Sequence, residues 1–268
     1  MNHLLRDHAP LTDGDWTLLD QEAAERLPVA LGARKLVDFV GPLGWRHSAT
    51  DLGRVSPVLA APADGVIART RRVLPLVELR ADFELEREEL AAGERGAADV
   101  DLSPLDEAAL RIAGVENAAI FNGWDAVGIT GIGSATPHRP LVHSGDPAGY
   151  DDVVTQAIAT LKRSGIDGPY ALALGPGVWA QVIEANEDGG YPLIRHLRDI
   201  LGGPVEWVPG IDGGFVVSLR GGDFLLELGE DLSIGYAHHD ETTVSLYLEE
   251  SFSFRVATPE AAIAITVE

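Results

Sequence analysis

Two runs of strict alternation flank Pro75. Val66, Ala68 and Thr70 alternate with Ile67, Arg69 and Arg71, and after the proline Val77, Leu79, Ala81 and Phe83 alternate with Glu78, Arg80, Asp82 and Glu84. A period of two predicts strands. The preceding stretch, "VDFVGPLGWRHSATDLGRV", is broken by Gly-Pro and Gly-Trp steps and offers no regular element to pack on them. Strands with charge at alternate positions bury little of themselves, and an isolated pair is at best marginally stable. The stretch is therefore expected to form an extended arm that pairs with something else, a neighbouring chain included.

The rest of the chain reads as alternating helices and strands. Thr12 and Asp15 have the spacing of a capping box, and Trp16, Leu19, Ala23, Leu27, Ala30 and Leu31 recur every three or four residues behind it. Pro28 falls inside that pattern and removes a backbone donor, so the helix is expected to kink near Arg26 or to end and restart. A second helix spans "DLSPLDEAALRIAGVENAAIFNGW" (Asp101 to Trp124), with Ser103 as N-cap, Pro104 in the first turn and Gly123 as its stop. Further helices are expected at Asp151 to Gly165 and in "GVWAQVIEAN", and strands in "PYALALGP", "GGFVVSLR", "GGDFLLEL" and "TTVSLYLEESFSFRVA". With 268 residues, no internal repeat and no low-complexity linker, the chain suits an α+β fold of intertwined subdomains.

Composition removes several functions. The 42 acidic residues outnumber the 20 basic ones, for a net charge of −22, which opposes nucleic-acid binding and favours solubility and attraction of cations. The short basic run "ARTRRV" is too small to reverse that. The absence of cysteine removes disulfides, thiolate metal sites and thiol nucleophiles and fits a reducing, cytoplasmic setting. No apolar run reaches membrane-spanning length, and "MNHLLRDHAPLTDGDW" lacks the apolar core of a signal peptide.

Catalytic motifs are equally scarce. "GITGIGSATP" lacks the third glycine of a dinucleotide loop and any Gly-Lys-Ser/Thr step. There is no Gly-x-Ser-x-Gly elbow, no His-Glu-x-x-His, and no histidine with a glutamate three positions before it, as a helical di-iron site needs. Trp16, Trp124, Trp179 and Trp207 fit core or interface packing. The remaining prospect is "DLSIGYAHHDET", where His238 and His239 sit among carboxylates. On a strand, neighbouring residues point to opposite faces, so a solvated turn is favoured over a metal site. No catalytic residue, metal or cofactor is expected.

Several segments in one order resemble the encapsulin shell proteins, the linocin-like bacterial nanocompartment family. They are "LLRDHAPLTDGDW", "GARKLVDFVGPLGW", "PLVELRADFEL", "AIFNGW", "GIDGPYALAL", "GYPLIRHL", "RGGDFLLELGEDLSIGYAHHD" and "YLEESFSFRV". The resemblance covers essentially the whole chain and implies an HK97 phage-capsid-like fold. Its implied parts are an N-terminal helix and the start of a peripheral domain (1–44), an extension arm (45–84), a peripheral domain with a spine helix (85–124), an axial domain (125–219) and peripheral strands (220–268).

The implied function is structural. About sixty copies would close an icosahedral compartment in the cytoplasm, each heterologous contact closing a ring, around a cargo enzyme such as a dye-decolorising peroxidase or a ferritin-like iron-storage protein. The family holds cargo by a C-terminal targeting peptide of the cargo itself. The matching positions are Leu27, Leu31, Arg34, Asp38, Leu232, Ile234 and Tyr236, an apolar groove with charged anchors. The loop Glu187, Asp188, Gly189, Gly190 and Tyr191 matches the rim of the five-fold pore, where an acidic ring would favour cations. No membrane or nucleic-acid partner is implied. The chain departs from the family at Pro28, where a kink would reshape the groove. The competing readings are a phage-type major capsid protein, against which the early start of the docking helix counts, and a stand-alone metal-dependent hydrolase, which lacks its motifs.

Overall fold

Thr12 opens the first long helix as its spacing predicts. A computed structural model gives the structure of the chain and describes residues 3–146, 149–186 and 190–267. In it the hydroxyl of Thr12 accepts the Asp15 N–H at 3.2 Å while the Asp15 carboxylate accepts the Thr12 N–H at 2.9 Å. The helix, α1 (Asp13–Ala30), buries Trp16, Leu19, Ala23, Leu27 and Ala30. It neither kinks at Arg26 nor restarts: it continues through Pro28 to Ala30. Pro28 and Ala24, whose carbonyl loses a partner, both lie on the exposed side within two turns of the end, where water can serve the carbonyl.

The chain continues as β1 (Asp38–Val40), β2 (Ala49–Val55), β3 (Arg71–Pro75), β4 (Val77–Glu86), α2 (Arg87–Glu94) and α3 (Ser103–Phe121). A single turn α4 (Ile132–Ala135), β5 (Leu141–His143), α5 (Tyr150–Arg163), β6 (Tyr170–Leu174), α6 (Pro176–Glu184) and α7 (Leu193–Leu201) follow. The last part is β7 (Val205–Trp207), β8 (Gly214–Ser218), β9 (Phe224–Leu228), β10 (Ser233–His239), β11 (Thr243–Val256) and β12 (Ala262–Val267). The N-cap of helix α3 lies one residue earlier than expected: Leu102 is the cap and Ser103 is already helical, its N–H held by the Asp101 carboxylate at 3.0 Å.

The first sheet is organised by β11. β4 pairs along one side of it, from Thr243 opposite Glu86 to Phe252 opposite Val77. β10 and β9 share its other side, and β1 adds in parallel to β9. Helix α3 lies across β4 and β11 and also packs on α1. The alternating run after Pro75 is thus a half-covered sheet strand and no part of a free arm: Leu79, Phe83 and Leu85 are buried while Glu78, Arg80, Asp82 and Glu84 face outward. The apolar half of its alternation is what α3 covers.

The free arm is the two-stranded ribbon β2–β3, paired from Ala49 opposite Pro75 to Val55 opposite Arg71. The strand expected from Val66 to Arg71 begins only at Arg71; before it a single bridge, Leu59 to Ala68, ties the tip. Val55, Val58, Leu59, Val66, Ile67 and Val73 are all exposed on this ribbon.

The second sheet has the order β5-β12-β8-β6-β7, with α5 and α7 packed on it and on each other. Its strands β6 and β8 are buried throughout, as a sheet covered on both faces requires. The C-terminal strand β12 lies here, between β5 and β8, so residues 220–268 do not all belong with the first sheet. The sheets are brought together where Gly210, at φ +96°, rests on Gly114 of α3; a Cβ there would strike the Gly114 carbonyl.

Candidate functional site

Where α1 ends, the chain turns through Gly32, and Arg34 enters the interior. Its guanidinium meets Glu116 of α3 at 2.5 Å, Glu250 of β11 at 2.7 Å and Asp231, in the β9–β10 loop, at 2.7 Å. Glu116 and Glu250 are fully buried, whereas Asp231 is partly open at the mouth of the cluster. Burial alone would weaken the Arg34 charge, but the Glu116 hydrogen bond and the charges of Glu116 and Glu250 outweigh it, and the guanidinium is held charged more firmly than usual. Burial pushes the Glu250 carboxyl well above the usual carboxylate range; repulsion from Glu116 adds to this and Arg34 opposes it.

Beside this cluster Asn117, also buried, knits the end of α1 to the body. Its amide donates to the carbonyls of Ala30 at 2.8 Å and Pro209 at 2.9 Å, and its oxygen accepts the Ala33 N–H at 3.0 Å. Sequence reasoning missed Glu116, Asn117 and Glu250, although each carried a signal. Glu116 and Asn117 fall four residues after Ile112 and Ala113 on the apolar face of α3. Glu250 falls in phase with Val244, Leu246 and Leu248. A charge at an apolar position of a periodic pattern marks a buried polar contact.

Of the seven groove positions, only Arg34 is joined to the β9–β10 loop by a direct ion pair, through Asp231. Leu27, Leu31, Ile234 and Tyr236 are buried in the chain's own core, and Leu232 is half-buried. Asp38 acts locally, within the chain. Its carboxylate accepts the Gly222 N–H at 2.6 Å, across the Gly221-Gly222 turn where both glycines have positive φ.

The N-terminal segment bridges α1 and β10. The Tyr236 N–H donates to the Leu4 carbonyl at 2.8 Å. Arg6 donates through Nε to the Ile234 carbonyl at 2.7 Å and forks onto Asp20 of α1 with two bonds of 2.8 Å. The same guanidinium lies 4.5 Å above the Trp16 ring.

His238 and His239 diverge, as adjacent strand residues do. His238 Nε2 lies 3.3 Å from the Ser245 hydroxyl, and His239 Nδ1 is hydrogen-bonded to the Tyr236 hydroxyl at 2.6 Å. The latter contact needs the bulge at Ala237, which shifts register between Tyr236 and His238 and brings residues three apart to one face. The turn itself is made by Asp240, whose carboxylate accepts N–H bonds from Thr242 and Thr243 and is thereby lowered to about 2. Among the described residues no group of three or more His, Cys, Asp or Glu side chains is placed to hold a metal.

Of the residues expected at a pore rim, Glu187, Asp188 and Gly189 lie outside the described residues. Gly190 has φ +81°. Tyr191 is exposed, with its hydroxyl donating to Asp199 at 3.2 Å. A bridge between Asn186 and Pro192 closes the base of this loop.

Residues 1–253 match the Linocin_M18 family, described as an encapsulating protein for peroxidase. A type 1 encapsulin shell protein of Rhodospirillum rubrum is 47% identical, over 99% of this chain and 96% of the relative. One from Mycolicibacterium paratuberculosis is 44% identical, over 99% of this chain and 100% of the relative. In fold, the chain is similar to a virus-like particle subunit from Pyrococcus furiosus, with a TM-score of 0.63, 17% identity and coverage of 94% of this chain and 99% of that one. This is the HK97 capsid-like architecture, of the α+β class. Full-length similarity to these shell proteins, carried on that fold, means that the chain belongs to the encapsulin shell-protein family.

Proposed function

We propose that the chain is the structural subunit of a closed icosahedral shell of about sixty copies that encloses a cargo protein. The observation that carries this reading is the β2–β3 ribbon. Six large aliphatic side chains are exposed along it, and a two-stranded ribbon with no layer beneath it is marginal in water. Covering by neighbouring subunits turns that liability into an assembly contact. A receptive surface exists on the far side of α3: a cavity of about 560 Å³ lined by Leu110, Arg111, Val115, Trp124 and Pro209, with Leu110 and Val115 exposed.

The division into peripheral domain, arm and axial domain follows the same reading, with β4 and β12 assigned to the sheets in which they pair. Cargo docks as an extended C-terminal peptide beside α1 and β10. A peroxidase is the class of cargo named in the family description; a ferritin-like protein is the other class the groove would serve. The loop 187–191 lines the opening at the five-fold axis, where Asp188 would present a ring of negative charge to cations.

Replacing residues 56–70 by a short Gly-Ser linker tests the arm. The ribbon base and both sheets stay intact, so far-UV circular dichroism is expected to be nearly unchanged. Sedimentation is expected to shift from closed particles to small oligomers. Closed particles formed at the normal yield would remove the arm from the assembly contact.

A further inference from the structure

β10 is an edge strand. One side pairs with β11, and among the described residues the other side is met by the chain's own N-terminal segment, with the Tyr236 N–H donating to the Leu4 carbonyl and Arg6 donating to the Ile234 carbonyl. This is the strand beside α1 that an extended cargo peptide would approach, so what occupies its edge decides whether a peptide can enter.

The occupying segment has the character of a ligand. Leu4 is buried, at 7% exposure, although its neighbour Leu5 is exposed. His3 stacks on Trp45, with ring centres 4.0 Å apart and an 11° angle between planes. Its Nε2 lies 3.2 Å from Glu230 and 3.6 Å from Glu249. Arg6, two residues after Leu4, is clamped by Asp20 and Trp16. A buried aliphatic side chain is thus flanked by two basic ones, each in an acidic and aromatic seat. Those seats belong to α1 (Trp16 and Asp20), β11 (Glu249), the β9–β10 loop (Glu230) and the β1–β2 loop (Trp45), not to the segment itself.

The segment also holds one residue in an unfavourable backbone conformation. Leu5 has φ +53° and is the sole non-glycine residue with positive φ among the described residues. Left-handed backbone crowds a leucine Cβ against the following carbonyl, and the Leu5 side chain is exposed, so burial does not compensate.

We propose that residues 3–6 are a displaceable strap, a built-in pseudo-ligand that occupies the β10 edge until a partner peptide of the same chemistry replaces it. The partner is an extended peptide with a leucine-like side chain for the Leu4 seat, a basic residue two positions later for the Asp20–Trp16 seat, and a basic or imidazole group just before for Glu230 and Glu249. This rests on the reading of the α1–β10 groove as the cargo site. The strap makes docking conditional: apparent affinity is the intrinsic affinity multiplied by the fraction of subunits whose edge is open.

The test uses the strap as its own probe. A fluorescently labelled peptide with the sequence of residues 1–9 is titrated into particles of the full chain and into particles of a variant lacking residues 1–6, with binding followed by anisotropy. The shortened particles are expected to bind at least about ten-fold more tightly, and a Leu4→Asp peptide is expected not to bind. Equal binding to both particles, or none to shortened particles of native size and circular dichroism, overturns the strap. Should the shortened chain fail to assemble, Leu4→Asp in the full chain dislodges the segment without removing it and is expected to show the same gain. Tail peptides from neighbouring gene products separate the two ideas. A tail that binds full and shortened particles equally refutes the strap and leaves cargo docking in place. If only the 1–9 peptide binds, and only to shortened particles, the strap holds and cargo docking on this groove falls.

Discussion

Arg34 joins α3, β11 and the β9–β10 loop with one side chain, and it does so between two buried glutamates that would otherwise repel each other. Glu250 is the member whose carboxyl burial pushes furthest toward the protonated form. A carboxyl whose folded-state pKa is raised binds its proton more tightly in the folded chain, so its stabilising share is complete below its ordinary value of 4.5 and is lost as pH rises through the folded value. The thermal midpoint should therefore fall across the range from mildly acid to alkaline pH, and Glu250→Gln should flatten that decline. Scanning calorimetry of intact particles at both ends of the range decides it; identical pH slopes for the two proteins would mean that Glu250 is ionised in the fold. This cluster was only half legible in the sequence. Arg34 was singled out as an anchor for an outside peptide, and three of its partners, Glu116, Asp231 and Glu250, come from segments 80 or more residues away, whose meeting only the fold reveals.

At the scale of elements, periodicity succeeded where an element is long and one-sided. Helices α1, α3 and α5 and strands β6, β8, β9 and β11 follow directly from their apolar spacing, because each buries one stripe or runs through a covered layer. It failed where pairing, not pattern, assigns the element. β4 has an alternation as fit for an arm as for a sheet, and only the long ladder to β11 settles its place. β12 returns to the second sheet across the first, which no local signal announces. Helix α7 is not among the elements expected from the sequence, although Leu193, Leu197 and Leu201 sit at helical spacing and are buried. Pro28 shows the converse, a breaker without a break, tolerated on an exposed side near a helix end. Restoring the donor with Pro28→Ala should raise the thermal midpoint, by an amount equivalent to about 1–3 kcal/mol. A lower midpoint would indicate that the proline, by restricting the unfolded chain, contributes more than its missing bond removes.

At the scale of the whole molecule, the chain holds two well-packed sheets and one ribbon that neither sheet covers. A net charge of −22 discourages indiscriminate aggregation, so association has to be carried by shaped apolar surfaces such as the ribbon and the α3 cavity. The capsid-like fold was legible from the order of many short segments, no one of which was decisive, whereas the groove was not: four of its seven expected residues are buried in the chain's own core, and its edge is covered by the segment that precedes α1. The central claim is closure into a shell, and the mass of the purified particle tests it most directly. For a chain of 28.5 kDa, charge-detection mass spectrometry at physiological salt should give a single hollow species near about 1.7 MDa, the mass of roughly sixty copies; a monomer or dimer under the same conditions would contradict it.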